Sequence, residues 1–226
     1  PGGPEVEAVV TGDGGILSSA DDELVIVDLS TCPVRLTRRV HEEAARRNVA
    51  FLDAPVARTR QAAIDGTLSI MVGATETEFE MIRPFLVPAA SEITHCGGIG
   101  TGQVMKIMNN MVLFQTVVAL AEAMATAEAA GVSKELLLNT LSQGSADSFA
   151  LRNHGMKAMV SGVFPINAFA TDYALKDITY ALELAEDGHV ETPSARLAKS
   201  LLEKSSAAGY GAEYFPALLK IVEQPD

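Results

Sequence analysis

A chain of 226 residues, 48% apolar and 20% charged, has the composition of a folded globular protein, and its length suits one large domain or two modest ones, two being the expectation. Seventeen Lys and Arg against 29 Asp and Glu give a formal net charge of -12, a field that repels phosphate backbones and anionic lipid and so speaks against nucleic acid and membranes as partners. Two cysteines, Cys32 and Cys96, are too few for a disulfide framework and lack a zinc-ligand spacing, in keeping with a reducing cytoplasm; no secretory signal and no long uncharged apolar run points elsewhere.

From residue 1 to about 98, short β-rich runs alternate with helical stretches, the pattern of βαβ units on a mostly parallel sheet. The clearest strand is the apolar run 24–29, followed after Ser30, Thr31 and Pro33 by an amphipathic helix reaching Arg47. Further strands are expected at 50–53 and 68–73, with a short helix at 60–65 closed by Gly66 between them. Thr75 then caps a helix whose first turns carry Glu76, Glu78 and Glu80, where the helix dipole favours acids.

After the glycine-rich segment 97–102 the texture changes. From Gln103 to Gly131 neither Pro nor Gly intervenes, which predicts one helix of roughly 40 Å, with Glu122 and Glu128 arguing against a membrane span. Helices are also expected at 133–143 with Ser133 as cap, around 152–160, at 172–187 closed by Gly188, at 193–208 closed by Gly209, and in a last turn near 215–222. The fold class is therefore α/β followed by all-α: a doubly wound part over residues 1–99 and a helical domain over 100–226, joined by the long helix.

Lys106, Asn109 and Asn110 fall at spacings of three and four on that helix, one turn in from the glycines, so their polar groups share a face. Lys106 reads either as a snorkelling surface lysine or as a desolvated acid or base acting on an alcohol or aldehyde oxygen. Asp53-Ala-Pro-Val56 ends a strand and leads into Ala57-Arg58-Thr59-Arg60. Doubly wound sheets take ligands beyond the carboxyl ends of their strands, and Arg suits carboxylate, sulfonate or phosphate, so this is a candidate anion receptor; the alternative is ordinary pairing with surface acids. Ser30 and Thr31 are a helix cap or a hydroxyl pair beside a ligand. Lys176 and Asp177, as an i, i+1 pair, are expected to find different partners, and Phe169 and Tyr173 read as core. The four His residues have no triad or metal partner by spacing, and the Met residues read as core filler.

Together these stretches resemble the β-hydroxyacid dehydrogenase family, the enzymes similar to 3-hydroxyisobutyrate dehydrogenase. The resemblance is carried by Asp28-Leu-Ser-Thr31, by Phe51-Leu-Asp-Ala-Pro-Val56, by Gly66-Thr-Leu-Ser-Ile-Met-Val-Gly73, by the run from Gly97 to Asn110 and by Leu175-Lys-Asp177, in order and over nearly the whole chain. It implies a Rossmann-type domain, NAD or NADP as cofactor, and hydride transfer between a nicotinamide and a short anionic semialdehyde or 3-hydroxy acid of the sulfolactaldehyde, tartronate semialdehyde or 3-hydroxyisobutyrate type. By the same resemblance Lys106 is the catalytic lysine. Asn109, Asn110, Ala57, Arg58, Thr59 and Phe169 contact substrate, and Pro1, Thr31, Lys176 and Asp177 contact cofactor. Subunits are expected to associate as dimers or tetramers through the helical domain.

Two departures stand out. Most of the family has Ser-Gly-Gly where this chain has Ala57-Arg58-Thr59, a loop that looks more like that of sulfolactaldehyde reductases and suits a strongly acidic tail. The family also opens with a strand and a GxGxxG turn. Neither is found here, so the sequence reads as starting about 70 residues into the nucleotide domain, with an apolar sheet edge left exposed. The rival reading is a noncatalytic helical dimerisation or scaffold module on a degenerate nucleotide-binding fold, which has no need of Lys106, Asn110 and an Arg-Thr loop in register.

Overall fold

The computed structural model describes residues 2–21, 23–166 and 168–223. The chain forms two compact units, Pro1–Met108 and Asn109–Asp226. In the first, helix α1 (Gly3–Thr11) precedes β1 (Val25–Asp28), α2 (Val34–Ala45), β2 (Ala50–Asp53), β3 (Val56–Ala57), α3 (Arg60–Ile64), β4 (Leu68–Gly73), α4 (Glu76–Leu86) and β5 (Ala90–Gly97). Local signals account for most of these. Thr75 and Glu78 form a reciprocal capping box at α4, Thr59 accepts from the Ala62 amide at the head of α3, and Gly66 at φ 64° turns the chain into β4.

Among the described residues the sheet has five strands and is mixed, which corrects the expectation of a mostly parallel one. β1 and β2 run parallel from Val25↔Ala50 to Asp28↔Asp53, and β4 and β5 are parallel, but β4 is antiparallel to β2 and β3. The reason is length. A parallel crossover needs roughly a dozen residues or more, and the short α3 segment between β3 and β4 closes only a hairpin-like return. Since a strand has two edges, β2 and β3, separated by Ala54 and Pro55, share one edge of β4, and β5 takes the other.

Alternation along the strands feeds two cores. Phe51 joins Val6, Val10, Leu36 and Val40 beneath α1 and α2, while its neighbour Leu52 joins Ile70, Val72, Phe79 and Ile82 beneath α4. β1 ends the strand order, and beside it Leu24, Val25, Val27, Met81, Ile82 and Phe85 border an apolar groove of about 550 Å³.

Helix α5 (Thr101–Ala129) runs through the division between the units. It is long and apolar enough to cross a membrane by length and composition, yet Phe114, Val117, Ala121 and Met124 are fully buried, as in a core helix. The second unit continues with α6 (Lys134–Leu141), α7 (Thr171–Asp187), α8 (Pro193–Ser205) and α9 (Leu219–Val222). The helix expected around 152–160 forms as a π-helix, Leu151–Met159, and the tail of the one expected at 193–208 is π-helical too, at Ser206–Tyr210, where Gly209 takes φ 94°. Phe114, Phe169 and Phe215 pack ring against ring at 5.2 to 5.9 Å. The segment before Phe215 lies along the head of α7, with the Thr171 amide donating to Glu213 O at 2.8 Å and the Phe215 amide to Phe169 O at 2.9 Å.

Candidate active site

In the first unit the site is built at the carboxyl ends of β1 and β2. Asp53, fully buried at the end of β2, accepts the Gly100 amide on Oδ1 at 2.7 Å and the Gln103 amide on Oδ2 at 2.8 Å. Gly100 is where α5 begins, since its carbonyl accepts the first helical bond from Val104. A carboxylate there meets unpaired amides and the positive end of the helix dipole. Burial, and the charge of Asp28 beside it, push the Asp53 carboxyl above the usual carboxylate range against the pull of those amides.

Close approach explains two glycines. A Cβ on Gly73 would lie 2.3 Å from Asp53 Oδ1, and one on Gly102 would lie 2.3 Å from Met71 O. Gln103 then ties α5 to the loop after β1, its Oε1 accepting from the Cys32 amide at 3.0 Å and its Nε2 donating to Ser30 O at 2.8 Å. Thr31 lies between those two anchors, half-exposed. Lys106 follows Gln103 by three residues and is half-buried. Helix α2 starts after Pro33 without a side-chain cap, and the Ser30 amide donates to Asp28 Oδ1 at 2.9 Å.

The loop after β3 is shaped by local bonds. Ala57 is buried, and Arg58 is exposed at φ 85°, a region rarely adopted by residues with a Cβ. Arg58 Nη1 donates to Thr67 O at 2.7 Å and to Ser91 Oγ at 2.6 Å, and Thr59 is the exposed cap of α3.

In the second unit Asn110, 1% exposed, donates from Nδ2 to Asp177 Oδ2 at 2.7 Å and accepts on Oδ1 from Asn109 Nδ2 at 3.0 Å. Asn109 is the exposed member of that pair. Lys176 Nζ lies 2.9 Å from Asp177 Oδ1 and 4.9 Å from the centre of the Tyr180 ring. The expectation of different partners for Lys176 and Asp177 is thus corrected: a four-carbon stem is long enough to fold the ammonium back on a neighbouring carboxylate that burial leaves in need of a counter-charge. Phe169 belongs to the aromatic cluster with Phe114 and Phe215. Pro1 lies outside the described residues.

Asp53, Gln103 and Tyr180 carry parts of this arrangement that residue-by-residue reading missed. Spacing gives Asp53 no role, because its partners are 47 and 50 positions away. Among the described residues no group of three or more His, Cys, Asp or Glu could hold a metal ion.

Two family models match the chain: the NAD binding domain of 6-phosphogluconate dehydrogenase over residues 1–98, and the NAD-binding domain of NADP-dependent 3-hydroxyisobutyrate dehydrogenase over residues 100–222. The chain is 36% identical to 2-(hydroxymethyl)glutarate dehydrogenase of Eubacterium barkeri over 219 residues, 97% of this chain and 72% of that protein. It is 28% identical to 3-sulfolactaldehyde reductase of Escherichia coli over 222 residues, 98% of this chain and 74% of that one. Its fold is similar to that of Mycobacterium tuberculosis 3-hydroxyisobutyrate dehydrogenase solved with L-serine, at a TM-score of 0.88 and 28% identity, covering 99% of this chain and 77% of that one. The residues present fit a dinucleotide: the loop after β1 leaves the carboxyl end of a parallel strand with Leu29 exposed, Thr31 half-exposed and its backbone held by Gln103. The chain belongs to the β-hydroxyacid dehydrogenase family, oxidoreductases of the 3-hydroxyisobutyrate dehydrogenase type that use NAD or NADP.

Proposed function

We propose that the protein interconverts a short 3-hydroxy acid and its semialdehyde, with Lys106 moving the proton and Arg58 receiving a second anionic group on the substrate's tail. NAD or NADP, when bound, takes up or supplies the hydride. In the oxidative direction the neutral Lys106 amine accepts the hydroxyl proton as the carbon–hydrogen bond breaks, and in reduction the ammonium returns that proton to the carbonyl oxygen. Asn109, exposed and three residues after the lysine, holds the substrate oxygen, while the buried Asn110 amide orients Asn109 and is itself fixed by Asp177. By the family resemblance, Thr31 and Lys176 are the residues assigned to cofactor contact. The observation that carries this reading is the half-buried Lys106 one turn into a helix whose start is fixed by Asp53, in a chain of this family.

The tail assignment is supported by the exposed Arg58 in place of glycine, and by a relative named for 2-(hydroxymethyl)glutarate, a 3-hydroxy acid with a second carboxylate. Exposed Val112, Leu136, Phe149, Val163 and Ile166 in the second unit support association of subunits through that unit, as a dimer or tetramer. Neither Cys32 nor Cys96 is in a disulfide among the described residues, which supports a reducing compartment.

The test is nicotinamide-linked turnover on 3-hydroxy acids with and without a second carboxylate or sulfonate. Doubly anionic substrates are expected to give the higher kcat/KM, and Arg58→Gly to reduce that preference about tenfold, the worth of one charge-assisted hydrogen bond, without loss of turnover on monoanions. Unchanged preference in Arg58→Gly removes the tail assignment. Absence of turnover on every substrate, in a protein that does bind NAD or NADP, favours the scaffold reading.

A further inference from the structure

We propose that Asp53 and Gln103 are positioning residues that lock the helix start bearing Lys106 to the loop bearing Thr31, so that the proton-moving and cofactor-contacting parts of the site are held as one frame. The proposal rests on the reading of Lys106 and Thr31 given above. Its grounds are geometric. One carboxylate, fully buried, takes both the Gly100 and the Gln103 amide, which fixes the rotation and height of the first turn of α5. One amide side chain, also fully buried, takes a donor and an acceptor on either side of Thr31, the Cys32 amide and Ser30 O.

Neither contact is interchangeable. A primary amide of this length both accepts and donates at the two anchors, and the carboxylate gives each of the two backbone amides an oxygen of its own. Gly73 and Gly102 supply the room, since a Cβ at either would lie within 3 Å of the Asp53 carboxylate. Catalysis of hydride and proton transfer is sensitive to such placement, a misplacement of about 1 Å costing on the order of a hundredfold.

Because Asp53→Asn would turn an N–H₂ group onto a backbone amide and threatens the fold, Gln103→Met carries the test: it keeps the volume and removes both bonds. Two readouts are needed. In the protein without nucleotide, amide hydrogen exchange over residues 29–32 is expected to quicken about tenfold, while the interior of α5 keeps its protection. In turnover, kcat is expected to fall between about tenfold and a hundredfold, with substrate KM within about twofold. Rescue by Gln103→Glu should fail, because a carboxylate cannot donate to Ser30 O. Unchanged exchange over 29–32 overturns the clip whatever the kinetics. Unchanged kcat, beside a Lys106→Met variant that has lost turnover, overturns the positioning role and leaves the lysine reading standing; full turnover in Lys106→Met overturns both.

Discussion

His154 sits in the π-helix with its ring enclosed by Phe149, Tyr214 and Phe215, hydrogen-bonded through Nδ1 to the Tyr214 hydroxyl, and with Nε2 buried and unpartnered among the described residues. Burial first, and the nearby Lys157 second, push its pKa down to about 4 from 6.5. The unfolded chain therefore takes up a proton that the folded one refuses. The contribution is complete above about 6.5 and is lost as pH falls, the loss reaching about 3 kcal/mol near pH 4. His154→Gln, which does not titrate, is expected to flatten that part of the stability profile in urea unfolding from neutral pH down to about 4; an unchanged slope would assign the acid sensitivity to other groups. None of this was legible from spacing, because the rings around His154 come from positions up to 61 residues along the chain. The Lys176–Asp177 pair escaped for the opposite reason: helix geometry alone separates neighbours, and a flexible lysine stem undoes that separation.

At the scale of elements, what could be read was what is decided within a turn or two. The Thr75–Glu78 capping box, the Ser133 cap, the φ 64° turn at Gly66 and the uninterrupted α5 all depend on local residues. α1 was hidden by its Gly-Gly-Pro opening, although a proline in the first turn costs no hydrogen bond and Glu5 supplies the cap. β5 was hidden because Ser91, Glu92, Thr94 and His95 give it no apolar run; it is a strand because β4 offers it a partner over nearly its whole length. The start of α5 allows a matched prediction. Gly102→Ala places a Cβ 2.3 Å from Met71 O and 2.8 Å from Asp53 Oδ2, whereas Gly98→Ala meets nothing within 4 Å. Despite the roughly 1 kcal/mol by which alanine favours a helix interior, Gly102→Ala is expected to lose about 2–4 kcal/mol and Gly98→Ala to stay within about 0.5 kcal/mol of the parent in denaturant unfolding. Equal stabilities would mean that the helix start does not approach the sheet as closely as described.

At the scale of the whole molecule, the change of texture near residue 100 and the order of the motifs were sufficient for the fold class and the family. The mixed sheet was not legible, because direction is set by how far a connection reaches and which edge is open, which composition does not record. The central claim is that this fold is arranged around proton transfer at Lys106, and the most direct measurement is turnover and nicotinamide binding of Lys106→Met beside the parent protein. A general acid or base contributes about a hundredfold or more, so kcat is expected to fall by at least that factor, with nucleotide affinity within about twofold. Parent-like turnover in Lys106→Met would contradict the account.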